Sequence, residues 1–246
     1  MGSSDIRDIR LDEVVCLPPD PPESMDRVVL PVDKPHGWTS FDVLRRLKRV
    51  LDVRKMGHAG TLDPLATGLL IVLAGRATRL QDRFLNLDKE YEGVMRLGEV
   101  TPSFDSETEV VQRIDWTIVS DDVLDAVRSE FVGSIVQQTP AYSAVKVGGE
   151  RLYKKARRGE DVVAPSRVVT IEEFTLTDRD GPDVSFRVRC SKGTYIRSLV
   201  HELGMALEVG AHLIALRRTA IGEFSVDDAW QISEIESSVA GHLEEG

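Results

Sequence analysis

Cysteines and long apolar runs are scarce in this sequence of 246 residues. The two cysteines, Cys16 and Cys190, lie far apart and lack metal-ligand spacing, which favours a reduced, cytoplasmic protein with two unpaired thiols. The longest apolar stretch, residues 69–74, is too short to cross a bilayer. The first thirty residues lack the basic start and apolar run of a signal peptide. We therefore expect no membrane association.

Positive charge is also in short supply. The formal net charge is -10, whereas binding to nucleic acid requires Lys and Arg to contact phosphates. Most of the excess acid lies at the two ends of the chain. Residues 1–26 hold seven acids and two bases, and residues 223–246 hold seven acids and no Lys or Arg. Residues 27–222 therefore carry 27 acids and 29 bases, so the body of the protein can present a basic face.

The pattern of apolar residues predicts an α+β protein. We expect an acidic, flexible N-terminal extension over residues 1–26, one domain over 27–224 and a short acidic tail over 225–246. Strands joined by hairpins and long insertions, without regular βαβ alternation, predict a mixed, largely antiparallel central sheet flanked by helices and loops. The predicted strands are 28–35, 69–73, 91–97, 168–176, 184–190 and 213–220, and the predicted helices are 40–51, 77–87, 121–132 and 194–208.

A glycine-rich loop is predicted over residues 52–68, and it contains the segment KMGHAGTLDPLATG. Its glycines allow a ligand to approach the main chain closely, and Pro64 keeps Asp63 out of the helical region. By itself this loop favours a simple turn in which Asp63 caps its own backbone. The segment does not match the phosphate-binding pattern GxxxxGK[ST], and His58 and Asp63 have no further His or Cys at zinc-ligand spacing. One carboxylate in a glycine-rich frame remains as the candidate site.

The second candidate segment is SKGTYIRSLVHELG, residues 191–204. Lys192, Tyr195 and Arg197 lie at or near the start of a predicted helix, where phosphates bind favourably. An arginine that faces a buried carboxylate would keep it ionised at neutral pH. The alternative is a weak surface ion pair for Arg197 and a core position for Tyr195. His201 has no second histidine four residues away, which excludes a zinc-protease site.

Two basic clusters flank the Asp63 loop in the sequence. The first lies in a predicted insertion, residues 138–165, with two interleaved tyrosines, and the second lies next to Asp63 on its N-terminal side. Their bases are Lys146, Arg151, Lys154, Lys155, Arg157 and Arg158 in the insertion, and Arg45, Arg46, Lys48, Arg49, Arg54 and Lys55 on the N-terminal side of Asp63. A single charged run is usually a solvated helix. Two runs around one candidate site, with aromatic rings nearby, favour an RNA ligand.

Seven motifs in register make the sequence resemble the TruB family of tRNA pseudouridine synthases, over about residues 27–224. They are DKPHGWTS at 33–40, GHAGTLDPLATG at 57–68, GRATRL at 75–80, DKEYEGVMRLG at 88–98, QTPAYSAVKVGGERLYKKARRG at 138–159, SKGTYIRSLVHELG at 191–204 and HLIALRRTAIGEF at 212–224. The resemblance implies the pseudouridine synthase fold and isomerisation of the T-loop uridine at position 55 of tRNA.

The resemblance also implies roles for individual residues. Asp63 is the catalytic carboxylate, and it attacks the anomeric carbon of the sugar, attacks carbon 6 of the uracil, or stabilises an elimination intermediate. Tyr91 stacks on the flipped uracil and is a candidate base, and Arg197 pairs with Asp63. Tyr195 and Leu216 line the uracil pocket. His58 contacts the RNA where the target base has left the stack, and Lys34 lies close to the same site.

The expected partner is the T-stem-loop of tRNA, bound by a monomer without a guide RNA, a protein partner or a membrane. An isomerisation involves no redox change, so we expect no cofactor and no metal. Only 22 residues follow Phe224, too few for the RNA-binding PUA domain of many family members, so the catalytic domain and its basic insertion are expected to hold the RNA. Residues 99–110, EVTPSFDSETEV, differ from the TxTxD-like run that is usual in the family. We expect this variation to lie away from the pocket.

Two alternative functions fit part of the sequence. A guide-dependent synthase of the dyskerin type shares GTLDP, but it has a charged residue and Val in place of Leu65 and Ala66 and carries a PUA domain. The second alternative is a non-catalytic RNA chaperone that binds and refolds tRNA. Chaperone activity and tRNA modification are compatible in one protein. The combination of Asp63, Tyr91 and Arg197 argues against binding alone.

Overall fold

The computed structural model of the chain describes residues 15–16, 27–143, 145–160 and 164–244. The chain divides into two compact units, one formed by residues 1–87 and 217–246 and the other by residues 88–216. Apart from residues 15–16, the predicted N-terminal extension lies outside the described residues.

The first unit is built around two strands that are buried on both faces. Its elements up to residue 87 are β1 (Val15–Cys16), β2 (Arg27–Lys34), α1 (Ser40–Val50), β3 (Met56–His58), β4 (Thr67–Gly75), a 3-10 helix (Arg76–Leu80) and α2 (Gln81–Leu85). β2 and β4 pair antiparallel, β1 lies parallel to β2, and β3 pairs antiparallel with β4. Because successive strand side chains point to opposite faces, Leu70 and Val72 join one core cluster and Leu69 and Ile71 the other.

The second unit is an antiparallel sheet with short insertions. Its elements are β5 (Lys89–Leu97), β6 (Glu99–Val100), β7 (Gln112–Arg113), α3 (Asp121–Glu130), β8 (Gly133–Gln138), β9 (Lys146–Val147), β10 (Glu150–Arg151), α4 (Leu152–Arg157), β11 (Ser166–Asp180), β12 (Asp183–Cys190) and α5 (Ile196–Ala206). β5, β12, β11 and β8 are successive neighbours in the sheet. Buried residues alternate with less buried ones along β5 and β12, as expected for antiparallel strands with one covered face.

The last part of the chain contains a strand that belongs to both units. β13 (Ala211–Ile221) is a neighbour of β5, and its residues Arg217 and Arg218 pair in parallel with Thr67 and Gly68 of β4. It is followed by β14 (Phe224–Ser225), a 3-10 helix (Val226–Asp228) and α6 (Ile232–Glu244). These pairings make the central sheet mixed and mostly antiparallel, which confirms the predicted α+β class.

Several elements differ from the sequence-based expectation, and three of them matter for the site and the core. The predicted loop over residues 52–68 contains the short strand β3, and β8 was not predicted. The predicted acidic tail contains α6, whose Ile232 and Ile235 are 9% and 3% exposed and lie in the same core cluster as Val43 and Leu44 of α1. No helix in the described part of the chain is long and apolar enough to cross a membrane.

Candidate active site

The Asp63 loop, residues 59–66, is attached to the segment that leads from β2 into α1. The Leu62 backbone N–H donates to Ser40 Oγ (2.9 Å), and this hydroxyl donates in turn to the Leu62 carbonyl (3.3 Å). On the other side of Asp63, the Gly37 N–H donates to the Pro64 carbonyl (2.8 Å). Since hydrogen bonds fix both neighbours of the half-buried Asp63, the backbone position of Asp63 is set by the segment at the start of α1.

Lys34 supplies a buried positive charge beside this loop. Its side chain is 0% exposed, and its Nζ donates to the carbonyls of Trp38 (2.6 Å), Pro35 (3.1 Å) and Pro64 (3.4 Å). Burial lowers the pKa of Lys34 to about 8, although the Asp63 carboxylate acts to raise it. At neutral pH the ammonium is therefore charged and attracts Asp63. This agrees with the expectation that Lys34 lies close to the candidate catalytic residue.

A buried arginine that the sequence analysis missed supports the same loop. Arg218 is 1% exposed, and its guanidinium donates to the carbonyls of Leu69 (2.7 Å) and Gly60 (3.1 Å). Gly68 permits this arrangement because a Cβ there would lie 2.3 Å from the Arg218 carbonyl oxygen. The only signal in the sequence is the arginine pair within HLIALRRTAIGEF, which does not reveal that one member points inward.

His58, the predicted RNA contact, lies on β3 at the edge of this arrangement. Burial lowers its pKa, and the charge of Arg218 lowers it further, so the ring is neutral at pH 7. Its Nδ1 is buried without a hydrogen-bond partner among the described residues. Lys34, His58 and Asp63 thus all lie in the first unit, with Arg218 close by.

Arg197, at the start of α5 in the second unit, is almost completely buried (4% exposed). It donates to the carbonyls of Ser103 (2.9 Å) and Tyr142 (3.0 Å). Its Nε lies 3.5 Å from the Asp105 carboxylate, which is also buried. The alternative of a weak surface pair for Arg197 is therefore wrong.

Residues 99–110, which we expect to vary away from the pocket, contact the predicted site residue Arg197. This segment turns tightly, because the hydroxyls of Thr101 and Ser103 both donate to the Asp105 carbonyl (2.7 and 3.1 Å). The turn brings the Ser103 carbonyl and the Asp105 carboxylate onto Arg197. In this sequence Thr101, Ser103 and Asp105 occupy the alternating positions of a TxTxD-like run, and Ser103 still supplies a hydroxyl.

Tyr195, a predicted wall of the uracil pocket, is held by two side chains that the sequence analysis missed. Gln137 is 0% exposed; its Oε1 accepts from the Tyr195 N–H (2.7 Å) and its Nε2 donates to the Tyr195 carbonyl (3.0 Å). The guanidinium of Arg167 lies 5.1 Å from the centre of the Tyr195 ring, within the range of a cation–π contact. The backbone and the ring of Tyr195 are therefore both oriented by neighbouring strands.

Tyr91 and Leu216 lie on neighbouring strands of the second unit. Tyr91 is on β5, 8% exposed and opposite Val188, and Leu216 is on β13 and half-buried. The two strands approach closely at Gly93, where a Cβ would lie 2.9 Å from the Ala215 carbonyl oxygen. The second unit thus carries Tyr91, Tyr195, Arg197 and Leu216, all of which were predicted from the sequence.

The predicted RNA-binding insertion forms a β-hairpin, β9–β10, followed by the short helix α4. Lys146, Arg151 and Lys154 are exposed, and Lys155 is half-buried. Arg158 differs because it pairs with Glu150 (2.7 Å) and Glu160 (2.7 Å), which offset its charge. The side chain of Arg157 and residues 144 and 161–163 lie outside the described part of the insertion.

Within the described ranges, no group of three or more His, Cys, Asp or Glu side chains could hold a metal ion.

The mixed, mostly antiparallel sheet agrees with the pseudouridine synthase fold that the sequence motifs imply. A model of the N-terminal domain of TruB family pseudouridylate synthases matches residues 48–196. A model of the tRNA pseudouridylate synthase B C-terminal domain matches residues 197–245. The chain therefore belongs to the TruB family.

Individual relatives are similar over most of the chain. A protein of Opitutus terrae named tRNA pseudouridine synthase B is 46% identical over 217 residues, which cover 88% of this chain and 90% of that protein. One of Flavobacterium johnsoniae with the same name is 42% identical over 226 residues, covering 89% of this chain and 99% of that protein.

Solved structures of related enzymes confirm the predicted fold. One is an archaeal box H/ACA sRNP complex, with a TM-score of 0.66 and 33% identity. Another is an H/ACA RNP bound to a substrate RNA containing 2'-deoxyuridine, with a TM-score of 0.67 and 31% identity. Each match covers 89% of this chain but only 55% of the longer chain, so the chain spans about half the length of these structural relatives.

Proposed function

We propose that this protein isomerises the T-loop uridine at position 55 of tRNA to pseudouridine, with Asp63 as the catalytic carboxylate. The observation that carries the proposal is the Asp63 loop, which is fixed on both sides by the start of α1 and lies beside the buried charge of Lys34. A nucleophilic or charge-stabilising carboxylate needs to be both ionised and fixed. Relatives at 42–46% identity that carry the name tRNA pseudouridine synthase B support the choice of substrate.

In the proposed reaction the target uridine leaves the RNA stack, which costs a few kcal/mol. Asp63 then assists cleavage of the N-glycosidic bond, the uracil rotates, and the bond re-forms through carbon 5. Tyr91 stacks on the uracil, Tyr195 and Leu216 line the pocket, and Arg197 pairs with Asp63. His58 contacts the RNA where the base has left the stack.

The rest of the predicted binding mode remains part of this proposal. The exposed bases of the insertion contact phosphates of the T-stem-loop, and the enzyme acts as a monomer in the cytoplasm without a guide RNA or protein partner. The higher identity to stand-alone tRNA enzymes than to the H/ACA proteins, 42–46% against 31–33%, supports independence from a guide.

The test is chemical mapping of pseudouridine in a T-stem-loop RNA incubated with the purified protein alone. We expect the wild-type protein to convert the T-loop uridine and Asp63→Asn to form no product while it binds the RNA almost normally. Asp52→Asn is a matched control, because Asp52 is exposed and has a positive φ of 47° that asparagine adopts readily. Full activity of Asp63→Asn, or activity only after a guide RNA is added, contradicts the proposal.

A further inference from the structure

One exposed face of α1 starts at the Asp63 loop and leads away from it. Ser40, the first residue of α1, exchanges hydrogen bonds with Leu62, and Gly37 just before the helix donates to Pro64. The start of the helix is therefore fixed to both neighbours of Asp63. From there α1 rises by about 1.5 Å per residue, so each step of four residues moves about 6 Å away from the candidate site.

Phe41, Arg45 and Arg49 follow each other at this spacing of four and form one stripe on the helix. Phe41 is 66% exposed, and the side chain of Arg45 is equally exposed, at 66%. The opposite side of α1 carries the buried Val43 and Leu47, so the apolar demands of the core do not explain Phe41. A large exposed aromatic residue in line with arginines needs a different explanation.

A basic groove of about 390 Å³ lies beside this stripe. Its lining residues are Gly37, Trp38, Asp42, Arg45, Arg46 and Arg49. Arg45 pairs with Asp42 (2.7 Å), and Arg46 pairs with Glu236 of α6 (2.5 Å). The groove lining holds three arginines and one acid, Asp42, and Glu236 offsets the charge of Arg46, so the groove keeps a net positive charge. Exposed ion pairs of this kind contribute only about 0–1 kcal/mol, so phosphate oxygens can replace the carboxylates.

We propose that the α1 face, defined by Phe41, Arg45 and Arg49, binds the strand of substrate RNA that adjoins the target nucleotide. A base next to the flipped uridine stacks on Phe41, and the phosphates that follow it lie against Arg45 and Arg49. Proteins recognise single-stranded RNA by this combination of aromatic platforms and arginines. The identity of the RNA rests on the proposed function, whereas the contact itself rests on the charge and exposure of the α1 face.

The first test measures the affinity for a T-stem-loop RNA as a function of salt. We expect Arg45→Ala/Arg49→Ala to bind about 10-fold more weakly at moderate salt and to lower the slope of log K against log [salt] by about 1.4, since each single-strand phosphate contact contributes about 0.7. Arg113→Ala is the matched control, because its side chain is 72% exposed and has one comparable ion pair, with Glu99 at 3.0 Å. An unchanged slope in the double variant, or an equal loss in the control, overturns the proposal.

The second test concerns the stacking platform. Phe41→Ala should weaken RNA binding by about 5-fold or more, and Phe41→Trp should restore it, because stacking requires a ring rather than a particular side chain. The high exposure of Phe41 keeps either substitution from disturbing the core. Equal affinities of Phe41→Ala and the wild-type protein contradict the proposed platform.

A cross-linking experiment identifies the occupant of the α1 face directly. With p-benzoylphenylalanine in place of Phe41 in the full chain, irradiation should attach the protein to the RNA next to the target uridine. Cross-links within the chain, for example to the acidic residues 1–26, or no cross-link to RNA, overturn the proposal. A wild-type protein that binds the RNA but makes no pseudouridine defeats the proposed function alone, and the binding results for the α1 face remain interpretable.

Discussion

The chemistry of Lys34 depends strongly on its surroundings, because its fully buried ammonium lies beside the Asp63 loop. As pH rises through about 8, Lys34 loses its charge and with it the attraction for Asp63. We therefore expect the single-turnover rate of pseudouridine formation to fall above pH 8. Lys34→Met should be about 10- to 100-fold slower at pH 7 and should lack this alkaline decline.

The expected fall in rate above pH 8 cannot arise because deprotonation of Lys34 destabilises the folded protein. Its pKa is about 8 in the folded protein and 10.5 in the unfolded chain, so between these values the unfolded state binds more protons and the contribution of Lys34 to stability rises with pH. Lys55→Met, at an exposed lysine just before the loop, is the control and should keep the alkaline decline. If Lys34→Met also keeps it, another group titrates.

At the scale of single residues, the sequence motifs predict the members of the candidate site, but they give no indication of the side chains that support them. Three of these members lie within the sequence motifs described above. Asp63 belongs to GHAGTLDPLATG, Tyr195 to SKGTYIRSLVHELG and Lys34 to DKPHGWTS. Gln137 and Arg218 are equally buried, yet nothing in their local patterns distinguishes them from exposed polar residues. Their roles depend on contacts across more than 50 residues of chain, which periodicity does not encode.

At the scale of elements, the junction between β8 and α5 depends on Gln137. Gln137→Leu removes two hydrogen bonds to the Tyr195 backbone, and leaving these groups unpaired should lower the free energy of unfolding by about 2–4 kcal/mol. Pseudouridine formation should slow as well, because Tyr195 loses its fixed position. Urea denaturation and single-turnover kinetics measure the two effects.

The neighbouring glutamine provides a matched control for this substitution. The side chain of Gln138 is exposed and only its backbone contacts Glu202, so Gln138→Leu should change stability by less than about 0.5 kcal/mol. Equal losses at the two positions would show that β8 tolerates leucine poorly in general and would remove the role assigned to Gln137.

The helix α6 is the second element with a measurable consequence. Ile235 is 3% exposed and packs in the core cluster that also contains Val43 and Leu47 of α1. Ile235→Ala should therefore lower the free energy of unfolding by about 2–5 kcal/mol, whereas Ser233→Ala on the exposed side should have little effect. Similar stabilities of both variants in a denaturant titration would mean that α6 does not contribute to the core.

The sequence predicted the long elements well and the short or acidic ones poorly, for physical reasons. α1 has both a capping box at Thr39 and a clear apolar stripe, and β12 alternates along its length. β3 has three residues, one of them glycine, which is too short for a period to show. In α6 the apolar spacing of Ile232 and Ile235 was present, but the high acidity of the segment suggested a solvated tail.

At the scale of the whole molecule, the acidic ends of the chain and the more basic residues 27–222 contribute differently to its properties. The ends account for the net charge of -10 and favour solubility, while the bases on α1 and in the insertion are available for phosphates. The α6 segment connects the two, because its Glu236 pairs with Arg46 on α1. On the α1 face itself, RNA would compete with the exposed Arg45–Asp42 ion pair rather than with a core contact.

Three histidines make the stability of the folded protein depend on pH, and the direction of this dependence can be derived. Burial lowers the pKa values of His58, His201 and His212 below the 6.5 of the unfolded chain. As pH falls through 6.5, the unfolded state takes up protons that the folded state refuses, so stability falls toward acid pH. The opposite contribution comes from Glu202, whose pKa is raised by burial above 4.5, and it matters mainly at lower pH.

We therefore expect Tm, measured without RNA, to decrease between pH 7.5 and pH 5.5. For a chain of this size each 1 kcal/mol lost corresponds to about 2–4 °C. The combined variant His58→Gln/His201→Phe/His212→Gln should flatten the decrease, and phenylalanine at position 201 preserves the stack of that ring on Phe104, with centroids 3.8 Å apart. His36→Gln, at an exposed histidine, should leave the pH dependence as it is. A Tm that rises toward pH 5.5 would show that carboxylates rather than the buried histidines dominate this range.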